Sequence, residues 1–386
     1  LPGTVADVDA GAGHGSGLTV QGTWDRRFAP VADAFQANLT ERGETGAALS
    51  VWVDGTRVAD LWGGVADPAS GRQWAPDTLV NVFSVGKAFA AVVVWRQVEG
   101  GLLDPDRPVA AVWPAFAAAG KEDVTLRQVL AHQAGLPAVR RRLPPGAMFD
   151  RAVMADALAA QEPWWEPGTA HGYHVNTFGV LCGEVLRRAT GASAGTLLRD
   201  EVVGPLGADV HLGLPEPLDA RVAPLGWAEA GTPLGEPAGA EGLDLMRRNA
   251  YLNPAGLSGF GVVDTRAWRA AELPGTNVHA SARGVAAVYD ALLDGRLLGE
   301  TILAEATAPH AATGTSPGRC WPTTTTGGWR RPEPAGRRPG PATPARSPST
   351  TGLLGRASRP AQPSRHRRSA PTSRGGRSSG TPPRRR

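Results

Sequence analysis

The sequence predicts an α+β fold, and three observations predict it. A hairpin signature stands near the start, helix-length apolar stretches follow, and no convincing strand comes after them. With 386 residues, 41% hydrophobic and 20% charged, the chain has ordinary globular composition and enough apolar surface for a sizeable core. Ala47 to Val53 and Thr56 to Trp62 read as strands. Asp54-Gly55 between them suits a type I′ turn, which needs positive φ at both central residues.

The helices follow in order. Asn81 to Lys87 leads into the apolar run Ala88 to Val98, closed by Gly100-Gly101, so a buried helix of about four turns is expected, with Ser84 near its start. Gly101 to Asp106 is a turn. Thr125 to Leu130 starts a short helix that stops at Gly135-Leu136-Pro137. From Phe178 to Arg188, the residues Phe178, Leu181, Cys182, Val185 and Leu186 fall on one helical face, and Gly191 is the natural stop. Cys182 on that face reads as a packed thiol. Ala282 to Leu293 gives a further helix.

The net charge of +4 conceals two unlike polymers. From Pro317 to Arg386 there are 16 Arg, 13 Pro, 10 Gly and a single acid, Glu333, which leaves +15 on that stretch and −11 on the rest. Its large apolar residues are Trp321, Trp329, Leu353 and Leu354, too few to offset the entropy of ordering. Residues 313–386 are therefore expected to form a disordered tail. An Arg-rich arm attracts nucleic acid or an acidic partner. The same composition also arises when GC-rich codons are read out of frame, and the abrupt change after Thr313 favours that origin. No apolar run reaches the roughly 20 residues of a membrane span. Leu1 to Val20 lacks the basic start and apolar core of a secretory signal. A cytoplasmic location is expected.

Ser84-x-x-Lys87 sets a hydroxyl and an amine one helical turn apart, within mutual reach. A serine needs a base beside it to act as a nucleophile. A lysine becomes that base when burial lowers its pKa, and Lys87 is followed by Ala88-Phe89-Ala90-Ala91-Val92. A second polar loop, Glu166 to Thr177, runs straight into the amphipathic helix and carries Tyr173, a phenol able to shuttle a proton.

Three ordered motifs now stand together: Phe83-Ser84-Val85-Gly86-Lys87; Leu126 to Pro137; and Pro167-Gly168 to Tyr173-His174, with Phe178-Gly179 after it. Asn277-Val278-His279 and Ala282-Arg283 follow later. From about Gly22 to about Ala312 the chain resembles the serine β-lactamase-related hydrolases, in the branch of class C-like β-lactamases and family VIII carboxylesterases. The resemblance implies a β-lactamase/penicillin-binding-protein-like fold, an antiparallel sheet with a helical lobe, over a folded domain of residues 22–312, with 1–21 expected as a disordered N-terminal segment ahead of it. It implies Ser84 as the acylated nucleophile, Lys87 as its proton-accepting partner, and Tyr173 as base with Lys87 and then acid to the leaving group. The backbone N–H of Ser84 would form half of the oxyanion hole. His174, Asn277 and His279 are expected to line the site. The substrate is expected to be a small ester, amide or β-lactam. No cofactor or membrane is expected, and nucleic acid only at the tail.

Two departures from the family pattern stand out. Class C enzymes usually carry Tyr-x-Asn, whereas Tyr173-His174-Val175 is followed by Asn176 at +3, which points to the esterase side. The family also has a third motif on a late strand, which supplies the second oxyanion N–H. Beyond Thr313 only Gly327-Gly328-Trp329 comes near it, in the wrong order and with no strand around it. Without late strands the early hairpin would keep an open edge.

Rival sites are weaker. Gly191-Ala192-Ser193-Ala194-Gly195 matches G-x-S-x-G, but a helix precedes it where the nucleophile elbow needs a strand, so Ser193 reads as a cap. His171 and His174 have no third metal ligand at fixed spacing. His132 is expected to bond backbone locally. Two functions remain: a serine hydrolase working through acyl-Ser84, weak or inactive without the third motif, or a non-catalytic relic or binding protein on the same scaffold.

Overall fold

The computed structural model describes residues 19–226 and 241–309. The expected tail, 313–386, lies outside the described residues, as does most of the expected N-terminal segment. The elements run β1 (Val20–Trp24), α1 (Ala29–Thr40), β2 (Gly46–Val53), β3 (Thr56–Asp67), β4 (Arg72–Gln73), β5 (Val80–Asn81) and α2 (Gly86–Glu99). Next come α3 (Leu126–Leu130), α4 (Arg151–Ala160), α5 (Thr177–Thr190) and α6 (Ala194–Leu197), which passes through a π-helical turn at Leu198–Val203 into α7 (Gly204–Leu206). The rest is β6 (Val210–His211), α8 (Gly242–Leu252), α9 (Arg266–Ala270), β7 (His279–Ala280), α10 (Ala282–Leu293) and α11 (Glu300–Ala306).

The expected hairpin forms. β2 and β3 pair antiparallel, and Asp54 and Gly55 take φ of 49° and 74°, as a type I′ turn requires. β1 adds to the free side of β3, giving the order β1-β3-β2, and β4 pairs with β3 beyond it. The side chains alternate as a strand dictates. Ala47, Leu49 and Leu61 meet Ala32, Phe35 and Leu39 of α1, whereas Ala48 belongs to the main core. α10 packs against β2 and is tied to β3 by Arg283, whose guanidinium lies 2.7 Å from the buried Asp60 carboxylate. Among the described residues, the outer edge of β2 has no strand partner.

β1 differs from expectation. It takes in Val20 and Gln21, which the expected domain bounds had placed in the N-terminal segment. Pairing with β3 supplies their backbone partners, and Val20 and Trp24 rest on the apolar face shared with α1. Both are long-range effects that local composition does not show.

The main core surrounds α2. Residues 86–95 of this helix are all buried, which accounts for its unbroken apolar sequence. α5 packs on α2 along Phe178, Leu181, Cys182, Val185 and Leu186, and ends where Gly191 turns to φ 77°. α3 is short but closed by a reciprocal capping box between Thr125 and Gln128. A second small sheet, β5-β7-β6, pairs Asn81 with His279 and His279 with His211. Val82 N–H then donates to Val278 O at 2.8 Å, fixing the chain just before Ser84.

Candidate active site

Ser84 lies in a single 3-10 turn, Phe83–Val85, that feeds α2, and its side chain is exposed. The preceding Phe83 has φ 44°, in the left-handed region that a bulky side chain disfavours. This held strain sets the direction in which the Ser84 turn leaves β5.

Lys87 is 5% exposed. Its Nζ lies 3.1 Å from Ser84 Oγ, 2.7 Å from Val175 O and 3.0 Å from Gly275 O. Burial pulls the amine down to about 7. A neutral amine has two N–H groups and one lone pair. With both N–H groups donated to the two carbonyls, the lone pair is left to accept from the Ser84 hydroxyl.

Tyr173 arrives from the loop ahead of α5. Its hydroxyl is hydrogen-bonded to Ser84, and its ring centroid is 4.8 Å from Lys87 Nζ. Burial raises its pKa and the Ser84 bond opposes this in part. The phenol is therefore protonated at neutral pH, and the resting proton acceptor of the group is the Lys87 amine. The structure thus brings Tyr173, distant in sequence, to Ser84 and Lys87.

The carbonyl platform under Lys87 depends on a close backbone approach. A Cβ at Gly179 would sit 2.5 Å from Gly275 N, so α5 can meet the Pro274-Gly275 turn only with glycine there. Behind it runs a polar chain. Asn81 Nδ2 donates to Thr276 O at 3.2 Å, and Thr276 Oγ1 donates to Asn176 Oδ1 at 3.0 Å. Asn176 Nδ2 donates to Ala250 O at 2.7 Å and Ser258 Oγ at 2.9 Å. The asparagine at +3 from Tyr173 is fully engaged in holding loops together.

The three residues expected to line the site are instead buried in its supporting framework. His174 donates from Nδ1 to Gly172 O at 2.6 Å and accepts at Nε2 from Leu136 N–H at 3.0 Å, so both ring nitrogens are spent on backbone. Burial pulls it down to about 4. Asn277 donates to Trp268 O and Ala271 O, each at 2.7 Å, and accepts from Leu273 N–H, shaping the turn that presents Gly275. His279 is buried on β7 near Arg269, His211 and Asp219, and neither of its ring nitrogens makes a hydrogen bond of good geometry. Burial, with Arg269 nearby, brings it to about 4, the backbone at Asn277 offsetting part of this. A polar side chain next to a motif serves backbone as readily as substrate.

Other motifs resolve similarly. Ser193 caps α6, accepting from Thr196 N–H at 3.1 Å. Cys182 is fully buried, and burial pushes its thiol up to about 12. His132 bonds backbone locally, as expected, its N–H donating to Val129 O at 3.2 Å, and it also reaches Gly172 and His174, 40 and 42 residues on. Sequence reasoning missed the Val175 and Gly275 carbonyls, because backbone acceptors have no side-chain signature. The Pro274-Gly275 pair, a turn signal between a helix and a strand, was the available clue to the second.

An exposed serine backed by a buried lysine one turn on, with a tyrosine closing the group, is an arrangement able to carry serine acyl transfer. A family model described as Beta-lactamase matches residues 31–363, and the chain belongs to that family. The match runs past Ala312, where the resemblance read from the sequence ends. The chain is 38% identical over 296 residues to the "Esterase/beta-lactamase LipL" of Mycobacterium tuberculosis, covering 75% of this chain and 68% of that relative. A family VIII carboxylesterase structure superposes with a TM-score of 0.69 at 39% identity, covering 76% of this chain and 78% of that one. A penicillin-binding protein homologue from Caulobacter crescentus superposes with a TM-score of 0.72 at 36% identity, covering 82% and 84%. No helix among the described residues is long and apolar enough to cross a membrane.

Proposed function

We propose that the chain is a serine hydrolase that cleaves small ester bonds through an acyl-Ser84 intermediate. The observation that carries this is the placing of Ser84 Oγ 3.1 Å from a buried Lys87 amine whose other polar partners are two backbone carbonyls. Lys87 takes the Ser84 proton as Oγ attacks the carbonyl carbon. Tyr173, bonded to Ser84, passes a proton to the departing alkoxide. Water then enters by the reverse relay and releases the acid. The backbone N–H of Ser84 supplies one oxyanion donor.

Esters are favoured over β-lactams for a specific reason. The Tyr-x-Asn pattern is replaced, and the nearest asparagine, Asn176, has its amide committed to Ala250 O and Ser258 Oγ. The similarity to a family VIII carboxylesterase supports the same choice. Residues 313–386 carry no third motif, so we assign a slow rate: one missing oxyanion donor costs on the order of 3 kcal/mol, or 10²- to 10³-fold. Hydrolysis of short-chain p-nitrophenyl esters and of a chromogenic cephalosporin by the full chain and by Ser84→Ala tests the proposal. Ester turnover that exceeds cephalosporin turnover and vanishes in Ser84→Ala supports it. Ester turnover retained in Ser84→Ala, or none at all from folded protein, refutes it and favours a non-catalytic role on the same scaffold.

A further inference from the structure

Tyr173 sits on a loop, outside α5, yet its hydroxyl must meet Ser84 with hydrogen-bond accuracy. Its two chain neighbours are both held by one distant residue. The carbonyl of His132 accepts from Gly172 N–H at 3.1 Å, and His132 Nδ1 accepts from His174 N–H at 3.2 Å. The His132 imidazole also meets the Tyr173 ring edge-on at 5.1 Å between centroids and lies 5.1 Å from the Phe178 ring at the start of α5. His132 is buried and holds φ 60°, a left-handed conformation that a non-glycine residue keeps only where its surroundings enforce it. His174 closes the same loop from the other side by bonding Gly172 O and Leu136 N–H.

We propose that His132 is a positioning residue for the acyl-transfer reaction, a clamp on the backbone at both sides of Tyr173 that aims its hydroxyl at Ser84. This rests on the reading of Tyr173 as the proton relay. Acceptance at Nδ1 requires that nitrogen to be unprotonated, so the proton of the neutral ring is on Nε2. Burial, together with His174, Lys87 and His171 nearby, holds the imidazole well below its usual range and keeps it neutral. His132 acts through the residue it clamps.

The test compares kcat/KM on a p-nitrophenyl ester for the full chain and for His132→Gly, His132→Asn, Tyr173→Phe and His132→Gly/Tyr173→Phe, with folding checked by circular dichroism. Glycine keeps the left-handed backbone and the carbonyl but removes the ring acceptor. Asparagine tolerates the same φ and can place Oδ1 near the Nδ1 position. A misaimed relay predicts a loss of about 10- to 100-fold in His132→Gly. Asparagine is expected to restore the rate to within about threefold of the parent, and the glycine change to cost less than about threefold once Tyr173 is phenylalanine. A merely structural role would cost the same in both backgrounds, and that result overturns the inference. So does a parent-like rate for His132→Gly where Tyr173→Phe is impaired. If His132→Gly does not fold, a folded His132→Asn as slow as Tyr173→Phe overturns it instead. A parent-like Tyr173→Phe defeats the reading of Tyr173 itself and the clamp with it.

Discussion

Replacing Lys87 by methionine separates chemistry from stability, because the rate is expected to collapse while the stability changes little. Lys87 titrates at about 7 in the folded protein against 10.5 for a free lysine. A group whose folded pKa is depressed binds fewer protons folded than unfolded, so its linkage favours folding less and less as pH falls from 10.5 to 7. At 1.36 kcal/mol per unit, the buried amine costs the native state ~5 kcal/mol near neutral pH. Methionine removes that cost at similar volume, but it leaves Val175 O and Gly275 O without their donor, a penalty of ~1–3 kcal/mol each. The net change in stability at pH 7 should therefore lie between about 1 kcal/mol against the variant and about 3 kcal/mol in its favour. The rate, by contrast, should fall by about 10²- to 10⁴-fold with loss of the base. Thermal melts and ester hydrolysis on the same preparation read both. In the parent, kcat/KM should fall about tenfold per pH unit below about 7, as the amine gains its proton. A Lys87→Met protein with ester turnover within about tenfold of the parent would refute the assignment of Lys87 as base. So would a parent profile flat from pH 8 to pH 5.

Two further outcomes follow from the same geometry. Gly179→Ala would force a Cβ to 2.5 Å from Gly275 N, so a loss of about 1–3 kcal/mol is expected, together with displaced Lys87 partners and a lower ester rate; unchanged melting and activity would contradict the backbone contact. His174 and His279 titrate near 4 when folded against 6.5 unfolded, so stability should hold above pH 6.5 and drain away as pH falls toward 4. Denaturant melts between pH 7 and pH 4 check this, and a midpoint that stays constant across that window would count against both burials.

What the sequence made legible was local. Asp54-Gly55 specified its turn because few residues adopt positive φ twice in succession. Ser84 and Lys87 meet because three residues on a helical path return to the same face. The α5 face was readable because period and stop signal agreed. The illegible parts are those made by backbone from elsewhere. Val175 and Gly275 contribute carbonyls that any residue possesses, and β1 forms because β3 offers an edge. His174, Asn277 and His279 sit within or beside recognisable motifs, yet residue type alone does not say whether a ring or amide faces a cleft or a loop carbonyl. The local backbone bond of His132, to Val129 O, was readable, but its bonds to Gly172 and His174, 40 and 42 residues further on, were not.

The most direct measurement is the intact mass and peptide map of the folded chain after exposure to a fluorophosphonate. One phosphonyl group, located on Ser84 and absent from Ser84→Ala, is the expected result. An adduct on Ser193 or another serine, or no adduct at all on folded protein, would contradict a nucleophile activated by the amine of Lys87.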